Sequence, residues 1–593
     1  MKVMDRGKTT CGALRRTDEG TTAELWGWVN RRRDHGGLIF VDLRDRDGIT
    51  QIVFDPQHPS FREAEHLRHE DVLRVCGSVR LRPPGTENPR LATGDIEVGI
   101  QELEILNRSQ VPPFQVNSDD PVDENLRLEY RYLDLRRPKL QRNLRLRHRI
   151  VKAVRDFFDG REFVEIETPM FIKSTPEGAR DYLVPSRLHA GSFYALPQSP
   201  QMLKQILMIS GFGRYMQIAR CMRDEDLRAD RQPEFTQVDV EMSFCTQDEV
   251  LETMESCMRY VWKNVLDIEL APFPRLSHAE AIEKYGVDKP DLRFGLELAD
   301  VSGAFTGTEF VVFKSAIESG GAVVALRYPG GAALSRRDFD ALTELAKQNG
   351  AKGMVWIALA QDGMKSSAAK FLSDENVNAV RNASGAENGD AVLLFADEYS
   401  AAYTAAGKMR NEVGDRCNLR DPKSFAFCWV TDFPYLEIDE ETGQPVPAHH
   451  PFTAPLEGEW DLIESDPMRM RAQHYDMVLN GYELGSGSIR IHKADRQRKI
   501  FEMLGLTPEQ VEDRFGFFVR SLDYGAPPHG GMALGVDRIV MIAAGEENIR
   551  EVIAFPKNQV GRDLMMDAPS PVPENLLRDL YLKSTAPPPD SGR

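Results

Sequence analysis

The 593-residue chain carries 92 acidic and 74 basic residues, a formal net charge of −18, with 41% apolar and 28% charged residues. This is the balance of a water-soluble globular protein; it argues against a nonspecific nucleic-acid coat, although an acidic protein still binds RNA through a local basic surface. The length exceeds what one core can organise and suggests about four domains at roughly 150 residues each. The seven cysteines (11, 76, 221, 245, 257, 417 and 428) form no CxxC pair and no zinc spacing, which fits a reducing compartment. Met1 to Thr10 is polar and charged, and no apolar run reaches about 18 residues, so a cytoplasmic location is expected, with neither membrane nor DNA as a partner.

In chain order, the first 108 residues read as five short strands, AELWGWV, LIFVDLRD, ITQIVFD, VLRVCGSVRL and IEVGIQELEIL, separated by Gly-rich turns. Five such strands predict a small closed barrel of the oligonucleotide-binding (OB-fold) type. A Pro- and Asp-rich stretch within 109–130 marks a linker. The next segment, 131–293, opens with eight Lys or Arg against one Asp between Arg131 and Ile150, ending in Arg142, Arg145, Arg147 and Arg149. That run is either a solvated helix face or an RNA-facing surface. A helix is expected over Asn143 to Phe158, a strand over Phe163 to Phe171, and a helix over Gln247 to Leu266. Between 294 and 424 the composition turns to Gly/Ala-rich helix–strand alternation, read as an inserted α/β domain. The charged motifs return over 425–560, and 561–593 is a C-terminal extension.

The most informative stretch is RDEDLRADRQPEFTQ, beginning at Arg223. Tyr215 to Arg223 and Gln237 to Phe244 alternate with period two, as antiparallel strands with one apolar and one polar face do. A tight hairpin needs two to five turn residues, and this loop spends about ten on arginines and carboxylates. Such a loop suits a polyanion.

These residues resemble motif 2 of the class II aminoacyl-tRNA synthetases, in the version of the bacterial aspartyl enzymes. FVEIETPMF (163 to 171) resembles motif 1 and GMALGVDR (531 to 538) resembles motif 3. The resemblance covers nearly the whole chain. It implies a multidomain α+β protein: an N-terminal OB-fold β-barrel, an antiparallel-sheet catalytic domain and the insertion. It also implies a homodimer built through the motif 1 strand around Pro169. The implied reaction joins L-aspartate to tRNA(Asp) through an aspartyl-adenylate, with ATP as substrate and Mg²⁺ as cofactor.

Carried over residue by residue, the resemblance assigns the chemistry to Arg223, Glu225 and Arg538. Arg223 would take the α-phosphate, since a guanidinium donates two parallel bonds and stays charged. Glu225 would accept from the adenine amino group, with Phe235 and Arg538 on the two faces of the base. Asp224, Gln232, Glu483, Gly535, Val536 and Asp537 complete the implied ATP site, Gly531 and Gly535 allowing close backbone approach. Asp476 and Glu483 would hold Mg²⁺ through hard oxygen ligands. Arg490 and Lys204 would bind the substrate's side-chain carboxylate and select acid over amide. Glu177, in a loop expected to close over the amino acid, would take the α-ammonium. Ser199, Gln201, Met202, Leu203, Asp239 and His449 line the rest of the implied aspartate site. Strict alternation puts Glu483 and Arg490 on opposite faces, so a bulge at Gly485-Ser486-Gly487 is required if both reach one site. Ser486 departs slightly from the family's usual Gly-Gly-Gly-Ser.

In the barrel, Phe40 would stack an anticodon base, while Arg33, Gln51 and Glu97 read base edges; Phe40 alone would otherwise read as barrel core. His35 and Gly85 resemble the subgroup that also charges tRNA(Asn). The alternatives left open are a strictly discriminating tRNA(Asp) ligase, a synthetase for asparagine or lysine, and a non-catalytic RNA-binding paralogue.

Overall fold

The computed structural model describes residues 9–118, 120–175, 179–361, 363–439 and 442–585. The chain forms two compact units. The first comprises the chain up to Arg145 together with 554–558 and 562–569. Its centre is a closed barrel of β1 (Thr22–His35), β2 (Leu38–Arg44), β3 (Ile49–Phe54), β4 (Val72–Leu81) and β5 (Ile96–Asn107), in the order β1-β2-β3-β5-β4. Alternation decides which side chains enter it. Leu25, Val29, Ile39, Val41, Leu43, Ile52, Leu73, Val75 and Val98 fill the interior. The residues between them face outward, and closure leaves no unpaired strand edge. All five strands lie where the sequence pattern places them. Phe40 is half-buried on the outer side and does not belong to the core.

The second unit comprises 146–553, 559–561 and the chain from Ser570. It is built on an eight-stranded sheet of β6 (Val164–Glu165), β7 (Arg214–Met222), β8 (Glu234–Ser243), β9 (Arg275–Ser277), β10 (Phe427–Thr431), β11 (His474–Leu479), β12 (Tyr482–Ile489) and β13 (His529–Gly535). The strand order is β9-β10-β11-β12-β13-β8-β7-β6. Six central strands are antiparallel, and both edge pairs, β9 with β10 and β6 with β7, are parallel. Three helices matter most for the site: α1 (Pro138–Asp159), α2 (Gln201–Ile209) and α3 (Gln247–Val261). A fourth, α4 (Val536–Ala544), follows β13 directly. Val154, Phe157, Val238, Val240, Met254, Trp262, Trp429, Met532, Leu534 and Val540 form one core beneath the sheet.

One sequence expectation changes. The motif 1 strand is only two residues long: Ile166 N still donates to Met216 O, but residues 166–169, ending at Pro169, take no regular structure and pair no further with β7. Seven consecutive residues of β8 are buried; Gln237 and Asp239 line an interior cavity, with Glu241 buried beyond them.

The segment 294–424 has its own five-stranded sheet, in which every paired neighbour is antiparallel. Strands Ala322–Tyr328 and Val355–Ala360 run the same way, joined through the helix Arg336–Gln348, but Ala391–Asp397 lies between them in the opposite sense. Helix–strand alternation therefore produces a split βαβ arrangement. The α/β expectation becomes an α+β topology.

Candidate active site

On the upper face of the central sheet, β7, β8, β12, β13 and the start of α4 enclose a cavity of about 380 Å³. Its floor is a set of buried charges. Glu241 grips Arg490 side-on, Oε1 accepting from Nε at 2.9 Å and Oε2 from Nη2 at 3.1 Å. Lys204, projecting from α2, lies 2.7 Å from Asp239 Oδ1 and 3.3 Å from Glu241 Oε2. All four side chains are essentially inaccessible to solvent. Burial pushes both carboxyls up, but the Arg490 and Lys204 charges overcome this at Glu241, whose pKa falls below the usual range. At Asp239 burial wins and the pKa rises. Asp239 Oδ2 has no hydrogen-bond partner among the described residues. A buried acceptor without a donor is costly, and a ligand ammonium would relieve that cost.

Glu241 is the principal residue that sequence reading missed. Its signal was present: it lies two residues after Asp239 and so shares its strand face. Room for it comes from Gly531 on β13, where a Cβ would come within 2.1 Å of Glu241 Oε2. Gly531 thus permits close approach of a side chain, whereas a Cβ at Gly535 would meet only Leu484 O at 3.4 Å.

Of the two adjacent histidines, the structure places His450, not His449, at the cavity wall. His450 Nε2 lies 2.8 Å from Arg490 Nη1. Arginine can only donate, so Nε2 is unprotonated and the proton sits on Nδ1, 3.4 Å from Thr453 Oγ1. His449 lies behind, its ring stacked on His474 at 3.2 Å. Burial, helped by the neighbouring histidines, lowers the pKa of His449 to about 2.

The second end of the cavity is reached through the expected strand irregularity. Met477 pairs with Gly485 while Val478 pairs with Glu483, so Leu484 is the extra residue of a β-bulge. The bulge lies one residue before Gly485-Ser486-Gly487 and brings both Glu483 and Arg490 to the cavity. The glycines have a different task. A Cβ at Gly485 would meet Ala533 O at 1.9 Å, and one at Gly487 would meet Gly531 O at 2.3 Å and the Tyr475 ring at 2.4 Å. Ser486 donates to Glu483 Oε1 at 3.1 Å.

Asp476 Oδ1 lies 2.9 Å from His474 Nε2. Its carboxyl is pushed up to about 7 by burial, and Glu483 is raised by burial and then by the Asp476 charge. Two buried carboxyls, both pushed up by burial and one of them raised further by the other, fit a divalent cation, which would relieve both. No cluster of three or more metal-ligating side chains occurs among the described residues, so further ligands would have to come from substrate phosphates and water.

Arg223 lies over the Phe235 ring at 5.1 Å, and Glu225 is paired with Arg231 at 2.9 Å. Arg538 donates to Glu483 O at 2.7 Å and pairs with Asp230 at 3.1 Å. Gln232, Asp537, Ser199 and Gln201 also line the cavity, with Gln201 Nε2 unpartnered among the described residues. Several sequence-derived candidates are not brought to it. Met202 packs in a separate core, Leu203 borders another hollow, Val536 is core, and Asp224 lies beside Arg180. On a helix or strand that presents one face to the cavity, the intervening residues must point elsewhere. Glu177 lies outside the described residues.

On the barrel, Arg33, Gln51 and Glu97 form one outward-facing row. Arg33 Nη2 donates to Gln51 Oε1 at 3.1 Å and to Asp42 at 2.8 Å. Gln51 Nε2 donates to Glu97 at 2.8 Å. Phe40 pairs across the strands with Arg33. His35 ends β1, and Gly85, with φ of 86°, lies in the loop between β4 and β5.

A five-stranded closed barrel ahead of an antiparallel sheet carrying this charged cavity defines a class II synthetase architecture, and the chain belongs to that family. Residues 123–559 match the model of the class II tRNA synthetases (D, K and N), and 24–106 match the OB-fold nucleic acid binding domain. The chain is 54% identical to an aspartate–tRNA(Asp/Asn) ligase of Moorella thermoacetica, covering 97% of this chain and 96% of that one. It is 52% identical to the protein of the same name from Rubrobacter xylanophilus, covering 98% and 97%. Among solved structures it is similar to asparaginyl-tRNA synthetase from Pyrococcus horikoshii complexed with asparaginyl-adenylate, with TM-score 0.58, 18% identity, and coverage of 93% and 98%. It is also similar to aspartyl-tRNA synthetase from Entamoeba histolytica, with TM-score 0.56, 17% identity, and coverage of 93% and 92%. At those identities the solved structures speak to the fold.

Proposed function

We propose that this aminoacyl-tRNA synthetase activates L-aspartate with ATP and transfers it to tRNA(Asp) and tRNA(Asn). The observation that carries the amino-acid assignment is the buried pair of cations, Lys204 and Arg490, at the closed end of the cavity. A carboxylate side chain satisfies them; an amide would set its NH₂ against two donors, and a lysine side chain would add a third cation. Asp239, with its free acceptor, takes the substrate ammonium, and Arg223 takes the α-phosphate. The aspartate carboxylate attacks the α-phosphorus and pyrophosphate leaves. A terminal hydroxyl of the tRNA then attacks the activated carbonyl and AMP leaves. No enzyme nucleophile is needed, so positioning and charge stabilisation carry the rate.

Phe235 and Arg538 form the adenine slot, with Glu225 released from Arg231 to meet the amino group. Asp476 and Glu483 would hold Mg²⁺, which would supply charge neutralisation at the phosphates. Replacing Arg490 with Leu is expected to abolish aspartate-dependent pyrophosphate exchange; retained exchange refutes the assignment.

Dual tRNA choice rests on the names of the relatives together with His35 and Gly85. Aspartylation of tRNA(Asp) and tRNA(Asn) transcripts at comparable rates is expected, and a preference of about a hundredfold for tRNA(Asp) would establish the discriminating alternative. Exposed Val164, Met170 and Phe171 beside the motif 1 strand support a homodimer, measurable by light scattering. The family's place in protein synthesis supports a cytoplasmic location. No helix among the described residues is long and apolar enough to cross a membrane.

A further inference from the structure

The arginine run on α1 does not form one solvated face. Arg147 turns inward, its side chain largely buried, and reaches three distant parts of the second unit. Its Nη1 donates to Asp537 Oδ1 at 2.6 Å and to Val552 O at 3.4 Å; its Nη2 donates to Thr236 Oγ1 at 3.1 Å. The two residues it grips are bonded to each other, since Thr236 N donates to Asp537 Oδ2 at 2.9 Å. Thr236 follows Phe235 and Asp537 precedes Arg538. The knot therefore ties together the backbones that carry the two walls of the nucleotide slot, whose segments lie about three hundred residues apart in the chain.

We propose that Arg147 is a positioning residue that sets the separation of Phe235 and Arg538, and with it the fit of the ATP base. The inference rests on the reading of those two residues as the adenine slot. A guanidinium suits the task because its rigid fork satisfies a carboxylate and a hydroxyl at once, which an ammonium or an amide cannot do with the same geometry. Arg220 Nη1, 3.1 Å from Thr236 Oγ1, supports the same hydroxyl from the side of β7. Asp537 is otherwise committed to the Thr236 N–H, so loss of Arg147 leaves a buried carboxylate half-paired beside the slot.

The test compares wild type with Arg147→Gln, Arg147→Lys and Thr236→Val in two measurements: equilibrium binding of ATP by calorimetry, and pyrophosphate exchange with ATP and aspartate varied separately. Arg147→Gln is expected to weaken ATP binding and raise the KM for ATP about tenfold, with the KM for aspartate within about twofold. Arg147→Lys recovers part of the loss by keeping the charge on Asp537. An unchanged ATP affinity in Arg147→Gln, or equal rises for ATP and aspartate, overturns the inference. If Arg147→Gln fails to fold, Thr236→Val decides, since it keeps the backbone bond to Asp537 and removes only the hydroxyl. ATP binding weakened about threefold or more supports the inference, and unchanged binding overturns it. Wild-type enzyme that binds ATP but shows no aspartate-dependent exchange would sink the aspartate reading alone.

Discussion

Replacing Glu241 with Gln tests the architecture of the amino-acid site at its least obvious member. The carboxylate is fully buried and, among the described residues, is the group that holds Arg490 by its side-on fork, while also lying 3.3 Å from Lys204. Removing one partner of such a buried pair costs about 3–5 kcal/mol, and the one acceptor that Gln retains returns about 1 kcal/mol. A net loss of roughly 2–4 kcal/mol should lower the thermal midpoint by several degrees. The effect on function has two opposed parts. Loss of a negative charge favours an anionic substrate, but the new amide NH₂ faces either Arg490 or Lys204, donor against donor, and displaces the guanidinium. Displacement wins, because the attraction to substrate depends on charge-assisted bonds worth about 1.5–3 kcal/mol that need the guanidinium in place. Pyrophosphate exchange should therefore show the KM for aspartate raised between about tenfold and a hundredfold, with the KM for ATP within about twofold. An aspartate KM and thermal midpoint both equal to wild type would refute the reasoning.

Asp476 gives a pH signature. Its folded-state pKa, raised to about 7 by burial, means that its contribution to stability is present below the unfolded value near 4 and is lost as pH rises to about 7. His449 and His474, lowered to about 2 and about 3, act in the opposite sense as pH falls below about 6.5. In the absence of Mg²⁺ the thermal midpoint of the wild type, relative to that of Asp476→Asn, is expected to fall between pH 4 and pH 8, and a constant difference contradicts it. Gly487→Ala forces a Cβ to 2.3 Å from Gly531 O and 2.4 Å from the Tyr475 ring. Because one obstacle is backbone, the ladder between β12 and β13 must open, and loss of soluble folded protein is expected by circular dichroism and gel filtration; a normal midpoint would contradict the geometry.

The barrel was legible in detail because its strands alternate strictly between a core and an exposed face, so each Leu25, Val41 or Val75 declares its side. The loop after Arg223 was legible for the opposite reason, a charge density that no simple turn requires. Less could be read where burial is two-sided. On β8 the polar face was tied to the amino-acid site through Asp239, but nothing in the alternation says that Glu241, two residues on, is buried against Arg490. The adjacent histidines offered no periodicity to say which ring faces inward, and only the fold distinguishes His450 from His449. The motif 1 strand was overestimated because β-propensity around Ile166 says nothing of whether a neighbouring strand is present to pair. Helix–strand alternation in 294–424 could not reveal that a later strand inserts between two earlier ones. The need for a bulge near Gly485 was predictable from the spacing of Glu483 and Arg490, but its place at Leu484 depends on the register with β11.

That bulge has a consequence beyond bringing two side chains to one cavity. Glu483 and Arg490 stand near opposite ends of a single paired strand, and in the proposed function the first serves the nucleotide and its cation, the second the amino acid. The strand is hydrogen-bonded on both sides, to β11 and to β13, so the two side chains share one backbone support. If cation binding at Glu483 alters the grip of Arg490 on aspartate by some factor, aspartate must alter the binding of the cation by the same factor, since equilibrium linkage is reciprocal. Under that coupling the two ligands would report on each other before either has reacted.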